Sequence, residues 1–150
     1  MALYADKTKV PVAQSRAEIE RLLERHKARQ YGTAVDYDKL QARVQFRLED
    51  RIIRFIVTLP DPKKLGRAER LERAERQKWR ALLLVIKAKL ESVENQIESF
   101  EEAFMAHIVM PNDQTVAEIL RPQIADVYKA GKMKELGPAP EAVRREEVKR

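Results

Sequence analysis

The sequence contains no cysteine, and only four of its 150 residues are glycine. Without cysteine the chain forms no disulfide, offers no thiolate ligand to a metal ion and has no thiol nucleophile. The glycines are far apart, so none belongs to a glycine-rich loop that holds a phosphate group; they are Gly32, Gly66, Gly131 and Gly137. Thiol chemistry and glycine-rich nucleotide loops are therefore excluded.

Long apolar runs are also missing. The longest run, residues 81–86, is far too short to cross a bilayer. The first seven residues contain no apolar core of the kind that a signal peptide needs. We therefore expect a cytoplasmic protein with no membrane partner.

Few residues could support catalysis. The two histidines, His26 and His107, are not at metal-ligand spacing from one another, and no serine lies in a GxSxG motif. The acidic residues between 91 and 102 have no histidine at the spacing of a di-metal site, so we interpret them as a solvated helix face. The sequence predicts no enzyme, no metal and no cofactor.

What the sequence does contain is a seven-residue repeat of apolar residues between positions 79 and 104, which is typical of a helix that packs lengthwise on another helix. We expect one helix from 67 to 107. The alternative is a break near Glu98, because Ser99 and Glu102 form a capping box. The repeat, called here the heptad stripe, consists of Trp79, Leu83, Ile86, Leu90, Val93, Ile97, Phe100 and Phe104.

Two other capping boxes predict helices on either side of the heptad stripe. Ser15 and Glu18 predict a helix from Ser15 to about Ala28, preceded by an extended segment at 1–14. Thr115 and Glu118 predict a helix to about Ala130, with Pro122 causing a kink or a restart.

Three strands are predicted between 31 and 59, because apolar and polar residues alternate there. Tyr31, Thr33 and Val35 fit the first strand. A two-residue turn at Glu49-Asp50 gives the other two strands a register in which every facing pair on one side is apolar. Those pairs are Phe46–Ile53, Val44–Phe55, Ala42–Val57 and Leu40–Leu59.

These elements predict an α+β fold: an N-terminal helix, a three-stranded antiparallel meander, a long helix and a shorter C-terminal helix. We expect a single domain at 15–136. The polar segment 137–150, with Pro138 and Pro140, predicts a flexible tail that is dispensable for folding.

The charge distribution suggests a function. The formal net charge is +6, but residues 67–90 carry 8 Lys/Arg and 3 Asp/Glu, whereas residues 91–128 carry 1 and 8. Lysine and arginine at such density neutralise phosphates. We expect the basic residues of the exposed sheet face and of the long helix to bind nucleic acid: Arg43, Arg47, Arg54, Arg70, Arg73, Arg80 and Lys87. The alternative is a solubilising surface.

Self-association is expected as well, because the heptad stripe is longer than a sheet of three short strands can cover. Its C-terminal part should be covered by the 115–130 helix or by a second chain, which predicts a homo-oligomer. The residues of that interface would be Val93, Ile97, Phe100 and Phe104.

Several segments resemble an uncharacterised family of small proteins encoded by bacteriophages and prophages. They are residues 9–12 (KVPV), 16–19 (RAEI), 76–90 (RQKWRALLLVIKAKL), 100–111 (FEEAFMAHIVMP) and 114–116 (QTV). The resemblance implies a phage context and the host cytoplasm, and no catalytic residues. The order of helix, meander and long helix is also similar to the core of Rad52-like single-strand annealing proteins, which is a fold-level analogy.

Three functions remain open at this point. The first is a phage accessory protein that binds nucleic acid, for which single strands in recombination or replication are one candidate. The second is an inhibitor or adaptor that binds a host protein, such as a component of a defence system. The third is an assembly protein built on the heptad stripe.

Overall fold

The computed structural model describes residues 8–133 and has the predicted α+β architecture. Residues 1–7 and the predicted tail at 137–150 lie outside the described residues. The elements are α1 (Val12–Arg25), β1 (Gln30–Asp36), β2 (Gln41–Leu48), β3 (Arg51–Thr58), α2 (Pro62–Leu65), α3 (Ala68–Glu94), α4 (Phe100–Phe104), a 3₁₀ turn (Met105–His107) and α5 (Val116–Ala130).

Helix α1 begins three residues before the predicted start. Pro11 occupies the N-cap position, and its carbonyl accepts hydrogen bonds from the N–H groups of Gln14 and Ser15. Ser15 is fully buried, and its hydroxyl has no hydrogen-bond partner among the described residues. The predicted capping box is therefore wrong, because Pro11 already sets an extended backbone at the helix entrance. The helix ends at Arg25, not at Ala28.

The sheet confirms the predicted register. Strands β1, β2 and β3 lie side by side in chain order, and Phe46 faces Ile53 while Val44 faces Phe55. The two residues of the β2–β3 turn both adopt left-handed backbone, with φ of 48° at Glu49 and 60° at Asp50. Positive φ at both central residues is the geometry of a type I′ turn, which matches the twist of the flanking strands.

The continuous helix predicted for 67–107 is wrong, and the alternative break is observed. Helix α3 ends at Glu94, and Gln96 then takes a φ of 59°. The Ser99 hydroxyl accepts from the Glu102 N–H at 3.1 Å, and the Glu102 carboxylate accepts from the Ser99 N–H at 3.1 Å. This capping box begins α4 and redirects the chain, because it satisfies N–H groups that a continuous helix would use internally.

The break redirects the end of the heptad stripe into the protein's own core. Phe104 is fully buried, and its ring lies edge-on to the rings of Phe46 at 6.0 Å and Phe55 at 6.4 Å. Phe100 is also buried. The expectation that these two residues form an oligomer interface is therefore wrong, since the same chain covers them. Val93 is half-buried against the core, and Ile97, in the connecting loop, is 78% exposed.

The segment after α4 returns to the sheet before α5 begins. Ile108 pairs with Ile53, and the Val109 N–H donates to the Ile52 carbonyl at 2.8 Å. Helix α5 has the predicted Thr115 capping box and ends at Gly131, which has a φ of 68°. None of its side chains is fully buried, and it packs mainly on the 3₁₀ turn.

Candidate nucleic-acid interface

The sheet separates the predicted basic residues into two groups. Side chains alternate along a strand, so Val44 and Phe46 point into the core beneath the helices while Arg43 and Arg47 point away from it. We call the side with Arg43 and Arg47 the outer face of the sheet. Arg80 and Lys87 belong to α3, which packs on the other side. The structure therefore does not bring the sheet and helix residues together.

On the outer face, Arg43 and Arg47 are exposed beside a shallow depression along β1. Gly32 and Ala34 contribute little side-chain volume there, and the depression has a volume of about 370 Å³. The guanidinium of Arg47 lies 3.5 Å from the Asp50 carboxylate. This surface holds two cations, one of them partly neutralised.

Arg54 is on the same face but is not exposed, which corrects the expectation for it. Its guanidinium donates to the Gln45 side-chain oxygen at 2.9 Å, to the Asp113 carbonyl at 2.8 Å and to the Asp113 carboxylate at 2.6 Å. Only 6% of the residue is exposed. The Arg54 hydrogen bonds and charge lower the pKa of the Asp113 carboxyl, with a smaller contribution from Arg43. Arg54 is thus a structural residue and is not free to bind a phosphate.

The loop that covers Arg54 runs from Met110 to Gln114. The Met110 N–H donates to the Gln114 carbonyl at 2.8 Å, and the Asp113 N–H donates to the Met110 carbonyl at 2.9 Å. Alternation along β3 correctly assigned Arg54 to the outer face, but no local pattern showed that a loop 59 residues later would close over it.

Helix α3 carries a basic stripe on its exposed side. Arg73, Arg80 and Lys87 recur at seven-residue intervals, so they drift by only about 20° per step around the helix and share one side. Arg73 and Lys87 are exposed, and Arg70 lies nearby on the preceding turn. Four of the predicted site residues are therefore brought together.

Helix α1 supplies two further cations that the sequence analysis missed. Arg21, Arg25, Arg80 and Lys87 line a groove between α1 and α3 with a volume of about 150 Å³. We call this the basic groove. Arg21 and Arg25 are one turn apart on the exposed side of α1, a spacing that the sequence shows but that gains meaning only beside α3.

Two contacts between α1 and α3 fix the helices on either side of the groove relative to each other. The Arg80 guanidinium donates to the Glu18 carboxylate at 3.0 Å. The Arg16 guanidinium lies 5.2 Å from the centre of the Trp79 ring. Arg80 is therefore partly neutralised, whereas Arg21, Arg25, Arg73 and Lys87 form no ion pair with another residue between 8 and 133.

Several acidic residues after α3, and His107, have structural contacts. Glu98 accepts from the Ser92 hydroxyl at 2.7 Å, and Glu101 accepts from the Arg51 guanidinium at 3.0 Å. The His107 ring stacks on Phe55 at 4.0 Å, and burial lowers its pKa. Within residues 8–133 no group of three or more histidine and carboxylate side chains is placed to hold a metal ion.

Comparison with protein-family models, with curated protein sequences and with solved structures finds no match to this chain. In the part of the chain that the structure describes, no helix is both long and apolar enough to cross a membrane.

Proposed function

We propose that this chain is a non-enzymatic nucleic-acid-binding protein and that its basic groove contacts the phosphate backbone. The observation that carries the proposal is the convergence of Arg80 and Lys87 on α3 with Arg21 and Arg25 on α1. Arg73 continues the same side of α3 two turns before Arg80. Cations arranged in a line along a groove neutralise successive phosphates and release their counterions. The outer face is a weaker candidate, because Arg54 is engaged and Asp50 lies beside Arg47.

The groove favours contacts to the backbone over contacts to the bases. From Arg73 to Lys87 the stripe extends about 21 Å, at 1.5 Å per residue, so it covers several phosphates of one strand. The residues that line the groove include no aromatic side chain on which a base could stack. Binding should therefore depend little on sequence and strongly on salt. In the phage context that the sequence resemblance implies, single-stranded recombination or replication intermediates are the substrates we favour.

The test compares equal losses of charge on opposite sides of the molecule. Arg21→Gln with Lys87→Gln removes two cations from the basic groove, and Arg43→Gln with Arg47→Gln removes two from the outer face. All four side chains are exposed, so neither pair of changes should unfold the protein. Binding of labelled single- and double-stranded oligonucleotides is measured from low to moderate salt, with protein freed of contaminating nucleic acid.

We expect the groove variant to bind more weakly and to reduce the slope of log affinity against log salt by about two, one for each lost phosphate contact. The outer-face variant should change the slope less. The proposal fails if the wild-type protein retains no oligonucleotide at low salt. It also fails if the groove variant keeps both the affinity and the slope of the wild type.

A second candidate function, an adaptor or inhibitor that binds a host protein, is favoured by a different surface. An apolar groove of about 450 Å³ lies between α5 and the α4 region and is lined by Met105, Leu120 and Ile124 among others. Ile124 is 44% exposed. An adaptor of this kind has no need of phosphate contacts, so the oligonucleotide experiment separates the two functions.

A further inference from the structure

Strand β1 leaves one of its two edges unpaired. The sheet order is β1-β2-β3, so β1 bonds to β2 on one side only. On its other side no residue between 8 and 133 makes a backbone hydrogen bond to it. The opposite edge of the sheet differs, because the Ile108–Val109 segment pairs with β3 there. Free N–H and C=O groups along an edge are a template for another strand.

The β1 edge has none of the features that usually prevent such pairing. Residues 30–36 read QYGTAVD, with no lysine, arginine or proline, and with a single charge, Asp36, at the end. The pairing with β2 is continuous from Gln30 to Asp36, so no bulge twists the edge away. Natural edge strands are normally protected by lysine, proline, a bulge or very short length. A seven-residue edge without these features fits a strand partner.

We propose that β1 pairs antiparallel with β1 of a second copy, about a two-fold axis through Thr33, to form a six-stranded sheet. In that register Tyr31 faces Val35 of the second copy, and Thr33 faces its own counterpart. Aromatic–β-branched and Thr–Thr pairs are favourable across antiparallel strands. Gln30 then faces Asp36, so no like charges meet.

The register is chosen by overlap and by the two faces of the sheet. A shift that keeps the core side chains on the core side must move the pairing by two residues. Centring the pairing on Gly32 or on Ala34 then pairs five residues of each β1 instead of seven. Only the register about Thr33 uses the whole strand.

The proposed dimer keeps both helix layers on the same side of the joined sheet, because an axis perpendicular to the sheet does not exchange its faces. The two basic grooves then face the same way, and one nucleic-acid strand could contact both. This consequence rests on the proposed nucleic-acid function. The dimer itself does not, and it is tested without nucleic acid.

The absence of native cysteine allows a direct test. In Thr33→Cys the new thiol faces its own counterpart, with Cα atoms about 4.5–5.5 Å apart, which a disulfide can bridge. The matched control is Gln30→Cys, an exposed position on the same strand whose counterpart lies six residues away along the partner strand, about 20 Å. Under mild oxidation we expect a disulfide-linked dimer of Thr33→Cys and monomeric Gln30→Cys on a non-reducing gel.

A charge pair at the same position tests the register in solution. Thr33→Lys and Thr33→Glu each place two like charges face to face, so light scattering should show monomers for each alone. Mixing the two variants should restore a dimer. The proposal is overturned if the wild-type chain is monomeric at micromolar concentration, if Thr33→Cys cross-links no faster than Gln30→Cys, or if the mixture stays monomeric. Circular dichroism of each variant establishes that it is folded.

Discussion

Arg43 and Arg54 are arginines on the same face of the same sheet, yet only Arg43 is open to solvent. The difference comes from the loop at Met110–Gln114, whose Asp113 provides both a carboxylate and a carbonyl to the Arg54 guanidinium. Strand alternation predicts the direction of a side chain, but what lies above it depends on distant parts of the chain. For this reason the sequence predicted the correct face of the sheet for Arg54 but wrongly predicted that its side chain is exposed.

The two arginines should therefore differ in their effect on stability. Arg54→Ala removes the partners of Asp113 and Gln45, so the free energy of unfolding should fall by about 2 kcal/mol. Arg43→Ala, the matched control, should change it by less than about 0.5 kcal/mol. Urea denaturation at neutral pH measures both values. Equal effects would contradict the structural role of Arg54.

The Arg54–Asp113 pair should make the stabilisation that Arg54 provides depend on pH. Arg54 lowers the pKa of the Asp113 carboxyl below its ordinary 3.8. A carboxyl with a lowered pKa in the folded state stabilises the fold above its ordinary pKa, and the contribution is lost as the pH falls through the lowered value. The difference between wild type and Arg54→Ala should therefore shrink below about pH 3.8.

At the scale of elements, local signals predicted the strands better than the helix boundaries. The register of β2 and β3 followed from alternation and the two-residue turn between them, because a slip by one residue would have exposed Phe46 and Phe55. The heptad stripe wrongly predicted a continuous helix, because its spacing continues through the loop at 95–99, although Ile97 faces solvent there. The Ser99 capping box was the better signal, since it is a specific hydrogen-bonded motif whereas the spacing of Val93 and Ile97 is not.

The β2–β3 turn offers a test of element stability. Glu49 and Asp50 both occupy left-handed backbone, which costs an ordinary residue energy that glycine avoids. Asp50→Gly should therefore raise the free energy of unfolding by about 0.5–1 kcal/mol, since the Arg47–Asp50 pair that it removes is exposed and weak. Asp38→Gly in the β1–β2 connection is the control and should not stabilise. Thermal or urea unfolding measures the stability of both variants. A loss of stability in Asp50→Gly would show that the ion pair outweighs the backbone strain.

At the scale of the whole molecule, the basic stripe of α3 ends where the acidic segment 91–128 begins, and Glu91 and Glu94 of that segment lie in the last turn of the helix. The seven-residue spacing of Arg73, Arg80 and Lys87 continues to Glu94, the last residue of the helix. The net charge of each segment could be predicted from the sequence. The partnership of the stripe with Arg21 and Arg25 could not, because it depends on how α1 packs on α3.

Reversing the charge at Glu94 should extend the basic stripe by two turns. Glu94→Lys places a cation about 10 Å beyond Lys87, at 1.5 Å per residue, and a cation at a helix C-terminus is favourable for the helix dipole. If the stripe tracks a phosphate backbone, affinity for oligonucleotides should rise, and the slope of log affinity against log salt should increase by about one.

The control is Asp38→Lys, which makes the same change of net charge at an exposed position between β1 and β2, away from α3. It should raise the affinity slightly at low salt through the overall field and leave the slope almost unchanged, because long-range attraction is screened as salt increases. If both variants change the affinity and the slope equally, the protein attracts nucleic acid through its net charge, and the basic groove is not the binding site.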